Sequence, residues 1–95
     1  MGCGAVLRIE PNVAEIKRMY VAPSARGRGV GRQILNELEA IARQLGAARL
    51  VLETGVRQPE ARALYDRAGF TEIPLFGDYV DTPHPELSVC MAKDL

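Results

Sequence analysis

The apolar residues Ile34, Leu35, Leu38, Ile41, Ala42 and Leu45 recur at helical spacing along Gly31 to Leu45. This helix stands between two apolar runs, Val13 to Val21 and Arg49 to Glu53. A strand, a helix and a second strand in succession predict a parallel pair joined by a right-handed crossover. Before that unit, Ala5 to Ile9 is a short apolar run closed by the turn signal Glu10-Pro11-Asn12, which predicts a hairpin with Val13 to Val21. After it, a second helix opens at Pro59, a favoured first helical position, carries Ala61, Ala63, Leu64, Tyr65 and Ala68, and stops at Gly69. Phe70 to Leu75 and Leu87 to Ala92 close the chain as strands around a loop holding Phe76, Gly77, Asp78, Tyr79, Pro83, His84 and Pro85. The fold class is α/β, with a mixed sheet and two helices.

Two details refine that outline. In the second strand the apolar residues fall at Ile16, then at Met19 and Val21, so the alternation changes phase near Lys17 and Arg18. A β-bulge accounts for the slip, and bulges often sit beside functional sites. Gly46 follows the last periodic residue of the first helix, where a left-handed residue commonly ends a helix.

With 95 residues, no repeat and no linker, residues 1–95 read as a single domain. No stretch approaches the ~20 apolar residues of a membrane span, and the N-terminus has neither the basic start nor the apolar run of a secretory signal. The expectation is a cytoplasmic protein without a membrane partner. Cys3 and Cys90 lie at opposite ends of the chain, which is not metal-ligand spacing, and with one histidine a structural zinc site is not expected.

The twelve basic and twelve acidic residues cancel overall but are unevenly placed. Lys17, Arg18, Arg26, Arg28 and Arg32 stand between Ile16 and Leu35 with no acid, a local charge of +5, whereas Glu72, Asp78, Asp81, Glu86 and Asp94 oppose only Lys93 after Thr71. That pattern does not suit a general nucleic-acid binder; it suits a site for one compact anion. The acidic end reads as solvated surface or as a place for a cationic second ligand. The basic segment contains Val21-Ala22-Pro23-Ser24-Ala25-Arg26-Gly27-Arg28-Gly29-Val30-Gly31-Arg32, leading from strand into helix. Its glycines let the backbone approach a ligand, the helix start offers free N–H donors, and the arginines add charge-assisted bonds to the same anion.

This stretch resembles the acetyl-CoA loop of the GNAT superfamily of N-acetyltransferases, Arg/Gln-x-x-Gly-x-Gly/Ala, with Arg26, Gly29 and Gly31 at the matching positions. Ala61-Arg62-Ala63-Leu64-Tyr65-Asp66-Arg67-Ala68-Gly69-Phe70 is similar to the family's second cofactor helix and the strand after it. The resemblance implies a GNAT-like fold that is N-terminally short, since members usually begin with a strand, one or two helices and another strand that help form the acceptor site. It implies acetyl-CoA as cosubstrate, lying between diverging strands and held by Met19, Val21, Arg26, Gly27, Arg28, Gly29, Val30, Gly31, Arg32 and Gln58. Gln58 stands seven residues before Tyr65, where the family often has Asn. The implied reaction is direct attack of a primary amine, on a small molecule or a protein, on the thioester. Glu15 matches a position where some members carry a catalytic glutamate, and Tyr65 matches the frequent general acid.

Each residue has a plainer reading as well. Glu15 could be solvated on a half-exposed strand, and Tyr65 could be a core aromatic whose hydroxyl bonds to backbone. His84, between two prolines, reads as an exposed turn residue, and Cys90 as a packed one. A dinucleotide-binding domain is the first competing class, but Gly27-x-Gly29-x-Gly31 is not GxGxxG. A catalytically silent CoA-binding or dimerisation module is the second. A chain starting at the Ala5 strand would also leave a sheet edge unpaired, which predicts a homodimer.

Overall fold

The computed structural model describes residues 2–21 and 29–95. Five strands and two helices follow in the order β1 (Gly2–Glu10), β2 (Val13–Val21), α1 (Val30–Gln44), β3 (Arg49–Gly55), α2 (Pro59–Arg67), β4 (Thr71–Ile73) and β5 (Ser88–Asp94). They form one sheet in the spatial order β1-β2-β3-β5-β4. The hairpin β1–β2 is antiparallel, β2–β3 is parallel, and β5 runs antiparallel to both β3 and β4, so the sheet is mixed as expected.

Both helices end as their sequences dictate. At Gly46 and Gly69 the backbone turns left-handed, with φ of 83° and 98°. Beyond each, the chain bonds back: Ala47 N–H to the Ala42 carbonyl and Phe70 N–H to the Tyr65 carbonyl, both at 3.0 Å. This second cap also shortens β4 relative to the expected Phe70 to Leu75. Phe70 spends its N–H on the helix end, and Pro74 has none to give to a ladder.

Alternate strand residues face one side, and here Val6, Ala14, Ile16, Leu50, Leu52, Val89 and Met91 pack against Leu35, Leu38 and Ala42 of α1 and Tyr65 and Ala68 of α2. Both helices therefore cover the same face. A Cβ at Gly4 would come within 2.8 Å of Leu38 Cδ1, so α1 lies close on β1 because that position has no side chain. Glu39, buried on α1, pairs with Lys93 of β5, and Arg32 ties the start of α1 to the end of α2 by donating to the Arg67 carbonyl at 3.2 Å. The opposite face buries Glu15, Val51, Cys90 and Ala92 but leaves Leu7 and Ile9 exposed on the edge strand β1.

No helix among the described residues is long and apolar enough to cross a membrane.

Candidate active site

The site begins where a ladder stops. β2 and β3 pair only from Val13 with Arg49 to Glu15 with Val51, yet β2 continues to Val21 and β3 to Gly55. Beyond that point the two strands separate, and the peptide groups they turn toward each other have no strand partner across the gap. Buried peptide groups seldom stay unpaired, so this gap is built for something that can hydrogen-bond along it.

The bulge expected near Lys17 and Arg18 helps open it. Two steps of β1, from Cys3 to Ala5, face three of β2, from Tyr20 to Lys17, which places an extra residue at Arg18 and Met19. Met19 thereby faces the same side as Ile16, although the two are three positions apart. A cleft of about 190 Å³ results, lined by Ile16, Met19, Leu52, Glu53, Thr54, Gly55, Gln58 and Tyr65.

Three of the expected site residues thus share one cleft. Tyr65 is buried in the core and also faces the cleft, where its hydroxyl donates to Met19 Sδ at 3.7 Å and not to backbone. Burial, reinforced by the nearby Glu53 carboxylate, raises its pKa above 10.0, so the phenol holds its proton firmly at neutral pH. Gln58 caps α2 with its backbone alone; its side chain is free of helix capping and lies beside Gly55 at the cleft wall. Thr54, which sequence reasoning did not single out, is buried there with its hydroxyl lacking any hydrogen-bond partner among the described residues.

Glu15 lies at the last rung before the strands part, on the face away from the helices. It is not solvated. At 5% exposure its Oε2 accepts a hydrogen bond from the Tyr79 hydroxyl at 2.7 Å and pairs with Lys17 Nζ at 3.2 Å. Lys17 in turn donates to Tyr79 Oη at 2.8 Å and stands 5.1 Å from the centre of its ring. The Tyr79 hydrogen bond is the main cause holding the Lys17 pKa above its ordinary value, with Glu15 adding to it against the cost of burial. The Tyr79 pKa is itself raised, first by burial. Tyr79 belongs to a single turn of 3-10 helix, Gly77–Tyr79, in the β4–β5 connection, and packs edge-on against Phe76. That connection lies over Cys90 as well, whose thiol is pushed above its ordinary value by burial. His84 is exposed on it beside Glu86, as a turn histidine should be.

Of the anion-binding segment, Arg26, Gly27 and Arg28 lie outside the described residues, as does the side chain of Val21. From Gly29 onward the helix start is described. Gly29 is the N-cap, left-handed at φ 76°, and makes no side-chain cap; its carbonyl accepts the first helical bond from Gln33 at 3.0 Å. The N–H groups of Val30, Gly31 and Arg32 precede the first helical bond and, with no acid in the first turn, offer a positive terminus to an anion. The Arg32 guanidinium is turned along the protein surface to Asn36 Oδ1 and the Arg67 carbonyl, each at 3.2 Å. No group of three or more His, Cys, Asp or Glu among the described residues is placed to hold a metal ion.

Comparison with known proteins agrees with this geometry. The family model for the acetyltransferase (GNAT) family matches residues 1–70. An IAA acetyltransferase of Azospirillum brasilense is 44% identical over all of this chain, which covers 61% of that protein. A Klebsiella pneumoniae crystal structure superimposes with a TM-score of 0.89 at 45% identity, over 99% of this chain and 63% of that one. A Mycobacterium tuberculosis protein solved in complex with CoA and NLQ gives 0.78 at 25% identity, over 99% of this chain and 67% of that one. The chain thus spans about three fifths of the length of the Azospirillum brasilense and Klebsiella pneumoniae proteins.

Proposed function

The chain belongs to the GNAT acetyltransferase family, and from that premise we propose that it binds acetyl-CoA in the cleft between β2 and β3 and transfers the acetyl group to a primary amine. The observation that carries this reading is the interrupted ladder. The amides of a pantetheine arm can satisfy the peptide groups that β2 and β3 leave unpaired beyond Glu15 and Val51. The CoA held by the Mycobacterium tuberculosis neighbour supports it.

In this reading Met19, Val21 and Gln58 flank the pantetheine arm. Arg26, Gly27, Arg28, Gly29, Val30, Gly31 and Arg32 take the pyrophosphate, with Arg32 contributing its backbone N–H, since its guanidinium is already bonded. When bound, acetyl-CoA supplies the acetyl group as an activated thioester. As the amine nitrogen bonds to the thioester carbon and the carbon–sulfur bond breaks, one proton must leave the nitrogen and one must reach the sulfur. Glu15 takes the first, directly or through water, and Tyr65, protonated at neutral pH, gives the second. The two stand on opposite sides of the sheet at the point where it opens, which separates base from acid.

Self-association and a cytoplasmic place of work belong to the same proposal. The outer edge of β1 with exposed Leu7 and Ile9 favours pairing with a second copy.

The test is calorimetry with acetyl-CoA, followed by thiol release in the presence of small primary amines and a lysine-containing peptide. Saturable binding with thiol released in step with an N-acetylated product is expected. Failure to bind acetyl-CoA would overturn the reading, and binding without product from any amine would favour a silent module.

A further inference from the structure

A buried hydroxyl without a partner is expensive, and Thr54 carries one. Its Oγ1 is shut off from solvent with no hydrogen-bond partner among the described residues, on a strand whose neighbouring positions Leu52 and Val89 are purely apolar. Valine has the same shape and suits a buried strand equally well, so the hydroxyl gains nothing for the fold, and left unpaired it is destabilising. Thr54 itself lines the cleft that Tyr65 and Gln58 also line. Of the donors lining that cleft, Gln58 is exposed and Tyr65 already donates to Met19, which leaves Thr54 as the buried donor with nothing to bond among the described residues.

We propose that the Thr54 hydroxyl donates to the carbonyl oxygen of the acyl thioester and fixes the acyl group beside Tyr65. This rests on the acyl-CoA reading above and adds to it a residue that selects the acylated ligand over free CoA. A thioester carbonyl can only accept a hydrogen bond, and the Thr54 hydroxyl, buried in the wall that Thr54 shares with Ile16, Leu52 and Tyr65, has an unused one to give. As the amine adds, charge grows on that oxygen, so the same bond tightens during the reaction. No proton is transferred from Thr54.

The experiment compares Thr54→Val and Thr54→Ser with the unaltered chain by calorimetry against acetyl-CoA and against CoA, together with thermal melting. Thr54→Val is expected to weaken acetyl-CoA binding roughly fivefold to tenfold, to leave CoA binding unchanged, and to melt at the same or a higher temperature; Thr54→Ser should keep the preference for the acylated ligand. Equal losses for both ligands, or no loss for either, would overturn the proposal. So would a lower melting temperature, which would mean that the hydroxyl has a partner inside the protein. If the unaltered chain binds neither ligand, the acyl-CoA reading itself falls and this assignment with it.

Discussion

The Tyr79 hydroxyl bonds Glu15 Oε2 at 2.7 Å across a sequence separation of 64 residues. Through this bond the β4–β5 connection is fastened to β2 where β2 leaves β3. Lys17 closes the arrangement by contacting both partners. A buried carboxylate needs such partners, and removing one of them is costly.

Tyr79→Phe keeps the ring and deletes the bond. At pH 7 the variant should lose about 1–3 kcal/mol, the cost of leaving a buried charged acceptor short of a donor. The pH dependence follows from the raised pKa values of Lys17 and Tyr79. A group whose folded pKa is raised contributes its stability fully below the unfolded value and loses it as pH rises through the folded one. The unaltered chain should therefore lose stability as pH climbs above about 10, whereas Tyr79→Phe, lacking the phenol and the bond to Lys17, should fall less steeply. Denaturant melts from pH 7 to 11 measure both slopes; parallel slopes would contradict the arrangement.

Tyr65→Phe should leave the fold nearly intact, because the hydroxyl's one contact among the described residues is a weak bond to Met19 sulfur. Acetyl-CoA affinity should change little while turnover drops by roughly 10²-fold, the lower end for a lost general acid. Unchanged turnover in a folded Tyr65→Phe would make the residue structural.

Gly29→Val tests the helix start. Among the described residues a Cβ at Gly29 meets nothing within 4 Å, but its φ of +76° is strained for a branched residue. The protein should stay folded at a cost of about 1–3 kcal/mol and lose at least about tenfold in acetyl-CoA affinity. Calorimetry and melting separate the two effects, and full affinity in the variant would remove this turn from the binding site.

Sedimentation tests the β1 edge. The chain should run as a species heavier than 10.4 kDa at raised concentration, and Leu7→Lys, which puts a charge beside that edge, should restore the monomer. A monomer at every concentration would contradict self-association.

Much of this was legible before the structure because it depends on local rules. The stripe from Ile34 to Leu45 predicted α1, and Leu35, Leu38 and Ala42 are its buried members; Ile41 and Leu45, at the rim of the same stripe, are exposed. The phase slip between Ile16 and Met19 announced the bulge, since only an extra residue can keep both on one face. What depends on distant partners was not legible. Tyr79 sits in a loop whose sequence signals a turn and nothing about Glu15. Glu39 lies in a helix among solvated charges, and only the fold brings Lys93 to it. Thr54 looks like any strand threonine until its surroundings are known.

Amide hydrogen exchange, read residue by residue with and without acetyl-CoA, tests the central claim most directly. Acetyl-CoA should slow exchange at amides of Ile16 to Met19 and Leu52 to Gly55, where the strands part, and at Val30 to Arg32 at the start of α1. The paired rungs Val13 to Glu15 should change little. Binding that protects some other region, or leaves the parted strands unprotected, would contradict the assignment of that gap as the acyl-CoA site.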